Sequence, residues 1–204
     1  ALWLYAVHVL GHFDFPAPSL SFLGWVLLGA VSQIGATALL LKVMTERNFT
    51  LGVAYSKSEI VQVAIFGYVF LGDRVNTIVA SAIALGTAGV LMLAPADREH
   101  PWRALLTGWT SRLALLGLAS GAGFAFSAVG FRGAALALGD TPFLMAAAGT
   151  LLVAQFLQTL LLGGWLLLRK RDVLLRVLHA WRASVFAGFM GAAASAGWFT
   201  AMAI

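Results

Sequence analysis

The chain has 204 residues, of which 61% are hydrophobic and only 10% are charged, and it carries a net charge of +5. Soluble domains average about 45–50% apolar and about 25% charged residues, so this composition excludes an ordinary soluble domain. Because the sequence contains no cysteine, disulfides and thiolate metal sites are excluded as well.

Apolar runs long enough to cross a bilayer recur along the sequence. A transmembrane helix needs about 20 mainly apolar residues, whereas a membrane barrel needs segments of about ten residues that alternate in polarity. No such alternating segments occur. The sequence therefore predicts an all-α fold, a polytopic bundle of transmembrane helices. The predicted spans are 22–43, 51–71, 75–94, 113–138, 142–168 and 183–204.

The run before the first span, ALWLYAVHVL, is too short to cross a membrane, and the chain ends on the apolar GWFTAMAI. We therefore expect the sequence to be an internal piece of a longer protein. His8 and His12 have the i, i+4 spacing of a metal-binding pair, with Asp14 beyond, but no third ligand is fixed in space. A helix end at the membrane interface explains these residues, and we predict no metal site and no cofactor.

Two charges interrupt the second span in YSKSEIVQV, Lys57 and Glu59. The Lys57 side chain would reach back to the interface. Glu59 lies deeper, where a charge costs about 2.5–3.5 kcal/mol and usually faces a cavity or a partner. Side chains at positions i and i+2 point to different faces of a helix, so Lys57 and Glu59 would not form an ion pair within this span. Tyr55, Glu59 and Gln62 share a face and are predicted to line a central cavity, with Glu59 as a proton or substrate-amine site. Lys57 is a candidate charge partner.

Glycine and other small residues indicate turns and helix contacts. Gly72 followed by Asp73 predicts a tight turn that closes one helix and opens the next. Small residues at four-residue spacing favour close packing of helix backbones in lipid. We predict such packing at Ala82 and Gly86, at Gly117 and Gly121, and at Gly191 and Ser195.

Gln155 and Gln158 lie at the centre of span 142–168, where they form a polar stripe with Thr159. A polar stripe at the midplane suits hydrogen bonding to a substrate, so both glutamines are predicted to line the cavity. The alternative is hydrogen bonding between helices, worth about 0.6 kcal/mol per bond. Arg132 is predicted to extend back to the interface and not to bind an anion.

Basic residues are unequally distributed between the two sides of the predicted bundle. Arg74 and Arg132 lie on one side, and ten lysines and arginines lie on the other. The positive-inside rule therefore places the side with ten basic residues in the cytoplasm. The ten are Lys42, Arg47, Arg98, Arg103, Arg112, Arg169, Lys170, Arg171, Arg176 and Arg182. In the last loop, RKRDVLLRVLHAW, apolar residues at helical spacing predict a short amphipathic helix. The positive charge of these loops indicates the membrane surface as a partner and no nucleic acid.

The first and last spans resemble each other weakly. Aligning Gly29 of 25–44 with Gly188 of 185–204 also aligns further small residues. The two spans are five crossings apart and therefore run in opposite directions. The loops that precede them differ in charge, because HFDFPAPSLS has no lysine or arginine. These features predict two inverted repeats, an arrangement typical of transporters with a substrate site near the midplane.

The stretch AYSKSEIVQVAIFGYVFLGDRVNTIVASAIALGTAGVLML resembles the fourth and fifth helices of EamA-type members of the drug/metabolite transporter superfamily. In that family a helix ends in Leu-Gly-Glu, and a tight turn leads to a helix rich in small residues. The matching positions are Leu71, Gly72, Asp73, Gly86 and Gly89. Glu59 falls on the Glu of a Glu-Pro pair that the family often has, with Ile60 in place of the Pro. WFTAMAI resembles the eighth helix.

The resemblance implies two inverted five-helix repeats, of which this chain would hold helices two (in part) to eight of ten. The first repeat would occupy 1–97 without its first helix, and the second 113–204 without its last two. A cytoplasmic or interfacial linker, 98–112, would join them. The resemblance also implies that the loop at 169–182 lies outside the cytoplasm, whereas the charge count places it inside.

Together, the residues and the resemblance predict an integral membrane carrier, and not an enzyme, that moves a small organic metabolite by alternating access. Proton coupling and a homodimer are left open. The small-molecule substrate and the lipid bilayer are the expected partners, and a bacterial inner membrane is the expected location. Two alternatives stay open: a membrane-embedded accessory or assembly protein, and a subunit of an integral-membrane enzyme.

Overall fold

The computed structural model describes Val9 and residues 17–46, 49–92 and 111–203. Within these ranges the chain is helical between its turns and contains no strand, as the sequence predicts. The helices are α1 (Leu20–Met44), α2 (Phe49–Ser56), α3 (Glu59–Phe66), a π-helix (Gly67–Leu71), α4 (Thr77–Met92), α5 (Arg112–Leu136), α6 (Phe143–Arg169), α7 (Arg171–His179) and α8 (Trp181–Ala203).

Three helices in the described ranges are long and apolar enough to cross a membrane, namely α1, α5 and α6. The pair α7 and α8, bent by 92°, adds a fourth candidate if the pair is counted as one span. The membrane character predicted from composition is therefore carried by individual helices of sufficient length.

Five of the six predicted spans coincide with a helix to within two residues at each end. The prediction of one continuous helix over 51–71 is wrong. This segment forms α2, a turn, α3 and the π-helix in succession. The usual helix-breaking residues do not mark this break, because this part of the chain has no proline and its glycines are not at the turn.

The turn after the π-helix is partly as predicted. Gly72 ends the π-helix with a φ of 71°, in the left-handed region that glycine adopts without strain. The prediction that Asp73 opens the next helix is wrong. Asn76 occupies that position, because its side-chain Oδ1 accepts a hydrogen bond of 2.8 Å from the Val79 N–H.

The contacts of the chain divide it into two compact units. The terminal unit comprises residues up to 30 together with those from 130 onward, and the central unit comprises 31–129. The boundary falls inside α1 and inside α5.

The terminal unit packs aromatic rings onto glycine and alanine. Phe131 of α5 and Phe199 of α8 have ring centroids 4.7 Å apart. A β-carbon built on Gly29 would lie 2.7 Å from the Phe131 ring, and one built on Gly133 would lie 2.7 Å from the Trp25 ring. The buried core also contains Phe22, Val26, Ala134, Ala135, Leu138, Ala146, Ala147, Leu151 and Ala154.

The central unit joins α1 to α5 by a polar and a small-residue contact. The buried Ser120 hydroxyl donates to the Ala36 carbonyl at 2.9 Å. A β-carbon built on Gly123 would lie 2.8 Å from that of Ala36, so the two helices approach closely here. The predicted close packing is not found at Gly86 or Gly191, where a built β-carbon meets no described atom within 4 Å.

Candidate functional site

The second predicted span is broken at its two charges. α2 ends at Ser56, Lys57 and Ser58 form a turn, and α3 begins at Glu59. The Lys57 N–H donates to the Ala54 carbonyl at 3.1 Å, a three-residue spacing in place of the four-residue spacing of an α-helix. The Lys57 side chain is exposed. The turn therefore separates two helices of eight residues each.

Two serine hydroxyls, one at the end of α2 and one in the turn, bond to the backbone of α2. Ser56 donates to the Val53 carbonyl at 2.8 Å, and Ser58 donates to the Tyr55 carbonyl at 2.6 Å. Such local bonds compete with the regular helix ladder and favour a bend. Sequence reasoning missed the role of Ser58. The only signal was the SKS tripeptide, two serines flanking a lysine inside an apolar run.

Helix α5 packs against the break through two glycines. A β-carbon built on Gly117 would collide with the Gly52 carbonyl oxygen, and one built on Gly121 would lie 2.8 Å from the Ser56 carbonyl oxygen. Only a residue without a side chain lets the α5 backbone come this close. The close packing predicted for this pair of glycines is therefore confirmed.

Gln62 links α3 both to the turn and to α5. Its Nε2 donates to the Ser58 hydroxyl at 2.7 Å and, in a longer contact of 3.5 Å, to the Leu118 carbonyl. The side chain is half-buried. A residue that the sequence assigns to a cavity wall thus also holds the two short helices in place.

The predicted trio lies along one stretch of α5. A β-carbon built on Gly117 would lie 3.0 Å from the Cβ of Tyr55, and one built on Gly121 would lie 3.3 Å from the Glu59 nitrogen and 3.2 Å from the Gln62 Nε2. Glu59 is half-buried and is the first residue of α3. A carboxylate in the first turn is stabilised by the N–H groups of the helix start.

Aromatic rings continue the contact between α3 and α5 beyond the break. Phe66 and Phe126 are stacked, with ring centroids 4.3 Å apart and an interplanar angle of 27°. Phe70 of the π-helix lies 6.1 Å from Phe66 and 5.8 Å from Phe126. This cluster fixes the far end of the broken segment on α5.

An apolar groove of about 700 Å³ runs between α3, the π-helix and α4. Tyr68 and Thr87 supply its polar groups. The remaining lining residues are Val61, Ala64, Ile65, Val75, Ala80, Ile83, Ala84 and Ala88. None of the predicted substrate residues lines this groove, which offers few hydrogen-bonding groups to a polar substrate.

Gln155 and Gln158 belong to α6 in the terminal unit. Gln155 is exposed and Gln158 is half-buried. The Thr159 hydroxyl donates to the Gln155 carbonyl at 2.7 Å, so it bonds within its own helix. Arg132, half-buried on α5, belongs to the same unit.

No group of three or more His, Asp or Glu side chains that could hold a metal ion occurs in the described ranges. His8, His12 and Asp14 lie outside those ranges, as do Arg47, Arg98, Arg103 and most of the predicted linker 98–112.

The chain matches no protein-family model, no curated protein and no solved structure. The resemblance to EamA-type transporters therefore stays a prediction that rests on the residues quoted for it.

Proposed function

We propose that the protein is an integral membrane carrier that moves a small organic metabolite by alternating access. The observation that carries this proposal is the break at Lys57 and Ser58, with the half-buried Glu59 at the start of α3. Discontinuous helices form the binding sites of many transporters, because their exposed backbone ends offer dipoles to substrates and coupling ions.

The energetics of the segment support a functional role for Glu59. A carboxylate in a membrane helix costs about 2.5–3.5 kcal/mol on insertion scales, so such a residue is retained mainly where it serves transport or pairing. Tyr55 and Gln62 lie along the same stretch of α5. In the proposal, Glu59 binds a proton or a substrate amine, and Tyr55 and Gln62 line the site around it.

The second half of the proposed carrier contains α6, from which Gln155 and Gln158 contribute polar groups. The likeness of 25–44 to 185–204 and the EamA-like residues support two inverted repeats, 1–97 and 113–204. The substrate would bind near the midplane between them. A bacterial inner membrane is the proposed location.

The proposal is tested with the full-length gene product in proteoliposomes. Radiolabelled amino acids, amines, nucleosides and organic acids are offered as a panel, with and without an inward proton gradient. We expect accumulation of at least one compound, accelerated by the gradient. Glu59→Gln should abolish this uptake, because the amide neither binds a proton nor pairs with an amine.

Glu46→Gln is the matched control, because it makes the same change in the bend that follows α1. It should transport at the wild-type rate. Wild-type uptake by Glu59→Gln would remove Glu59 from the mechanism, and the absence of uptake of every panel compound would count against the carrier itself.

One observation favours a second function, that of an accessory or assembly protein. Gly188 and Gly191 of α8 lie three residues apart on one face of the helix, and both have open space where a β-carbon would be, within the described ranges. Such a small-residue face suits a partner helix. This alternative predicts that Glu59→Gln and Gln155→Leu leave solute flux unchanged, whereas Gly191→Leu displaces a co-purifying membrane protein.

A further inference from the structure

Helix α7 places four of its five apolar residues in one arc. At about 100° per residue, Val173, Leu174, Val177 and Leu178 fall within an arc of about 140°. Val177 and Leu178 are 45% and 60% exposed, so this arc is only partly covered by the protein. The opposite arc holds Arg171, Asp172, Leu175, Arg176 and His179.

The segment around α7 carries most of the net charge of the chain. Residues 169–182 contain five basic residues and one acidic residue, a net charge of +4 out of +5 for the whole sequence. Arg176 is engaged by Asp172 in an exposed ion pair of 3.0 Å. The other four cations stand at the two ends of α7. They are Arg169, Lys170, Arg171 and Arg182.

The angle between α7 and α8 sets the orientation of the segment. The two helices meet at 92° across Ala180, and α8, with 23 residues against the nine of α7, is the longer and more apolar partner. If α8 crosses the bilayer, α7 therefore lies close to the membrane plane. Trp181 stands at the corner, 58% exposed, with the Arg182 guanidinium 5.4 Å from its ring centroid. Tryptophan and arginine at this level are typical of the lipid headgroup region.

We propose that residues 169–182 bind the anionic phospholipid leaflet of the membrane. The apolar arc of α7 enters the acyl boundary, and the four cations at its ends contact lipid phosphates. Amphipathic helices with basic flanks bind bilayers in this way, through apolar area and attraction to anionic headgroups together. The inference does not depend on transport.

The charge component is tested with the full-length gene product in nanodiscs of phosphatidylglycerol and phosphatidylcholine. Spin-labelled forms of both lipids report how strongly the protein prefers the anionic one. Lys170→Gln/Arg182→Gln should lower that preference on the order of tenfold, because each cation near an anionic surface adds to binding. Lys42→Gln/Arg74→Gln removes the same two charges from exposed positions outside the segment and should lower it far less.

The apolar component is tested by two leucines on opposite arcs. Leu178 and Leu175 are 60% and 57% exposed, so they form a matched pair. Quenching of Trp181 by brominated lipid, taken as the difference from Trp181→Phe, reports its depth. Leu178→Ser should reduce the quenching, and Leu175→Ser should leave it unchanged.

Two results would overturn the proposal. One is an equal loss of lipid preference in both charge variants, or no loss in either. The other is the same quenching in both leucine variants. Lys170→Arg/Arg182→Lys keeps both charges and should therefore keep the lipid preference. A folding defect in the glutamine variant would be recognised separately, by the loss of the elution profile of the folded protein.

Discussion

The Gln62 amide donates a hydrogen bond of 2.7 Å to the Ser58 hydroxyl, across the start of α3. That hydroxyl in turn donates to the Tyr55 carbonyl at the end of α2. Ser58 therefore connects the two short helices. The Gln62 side chain that bonds to it also reaches the Leu118 carbonyl of α5. The stability of the break should depend on this one hydroxyl more than on the charges beside it.

Ser58→Ala should destabilise the protein by about 1–2 kcal/mol, because it removes two hydrogen bonds from a partly buried position. Thermal unfolding in detergent measures the effect. Ser81→Ala is the control, because the exposed Ser81 hydroxyl makes one bond, to the Ile78 carbonyl within α4. Equal unfolding temperatures for the two variants would show that the hydroxyl does not hold the break.

Gly121→Ala should destabilise the protein by about 1–3 kcal/mol, because the added methyl would overlap the Ser56 carbonyl and crowd Gln62. The same assay applies. Gly86→Ala places a methyl in open space on α4 and should be neutral or slightly stabilising. If Gly121→Ala were equally harmless, α5 would not pack on the break as closely as described.

Thr150→Val should stabilise the protein by about 1 kcal/mol. Thr150 is fully buried, and its hydroxyl has no hydrogen-bond partner within the described ranges. Replacing a buried, unpaired hydroxyl by a methyl group of similar volume removes a desolvation cost. Thr159→Val, at an exposed position, serves as the control. A loss of stability in Thr150→Val would reveal a partner for the hydroxyl.

The orientation of the chain can be read with single cysteines, because the sequence has none of its own. The charge count predicts that Ala180 faces the cytoplasm and Val75 the opposite side. In intact cells, a membrane-impermeant maleimide should label Val75→Cys, and it should label Ala180→Cys only after permeabilisation. The reverse pattern would favour the orientation implied by the EamA resemblance.

Hydropathy was sufficient to locate most of the helices. α1, α5 and α6 are long apolar runs that end where loop residues begin, so their bounds follow from the sequence to within two residues. The spacing of Gly117 and Gly121 also predicted a close helix contact correctly, because small residues four apart form one flat face.

The break at Lys57 and Ser58 could not be predicted from local sequence, because it depends on contacts with a distant helix. Serine hydroxyls often bond to a carbonyl within an unbroken helix, so the SKS tripeptide alone does not specify a turn. The same limit applies to Asn76, whose capping role depends on where α4 starts.

The two glycine contacts at the break also set an order of assembly. Gly117 and Gly121 each lie 65 positions after the carbonyl they cover, since 117 − 52 and 121 − 56 are both 65. At about 5–20 residues per second of synthesis, the ribosome needs roughly 3–13 s to supply them. During that interval the polar turn has no α5 to pack against. The segment should therefore enter its final position late, after α5 has been made. A nascent chain arrested before Gly117 should leave a cysteine at position 56, which is buried in the finished structure, open to water-soluble reagents.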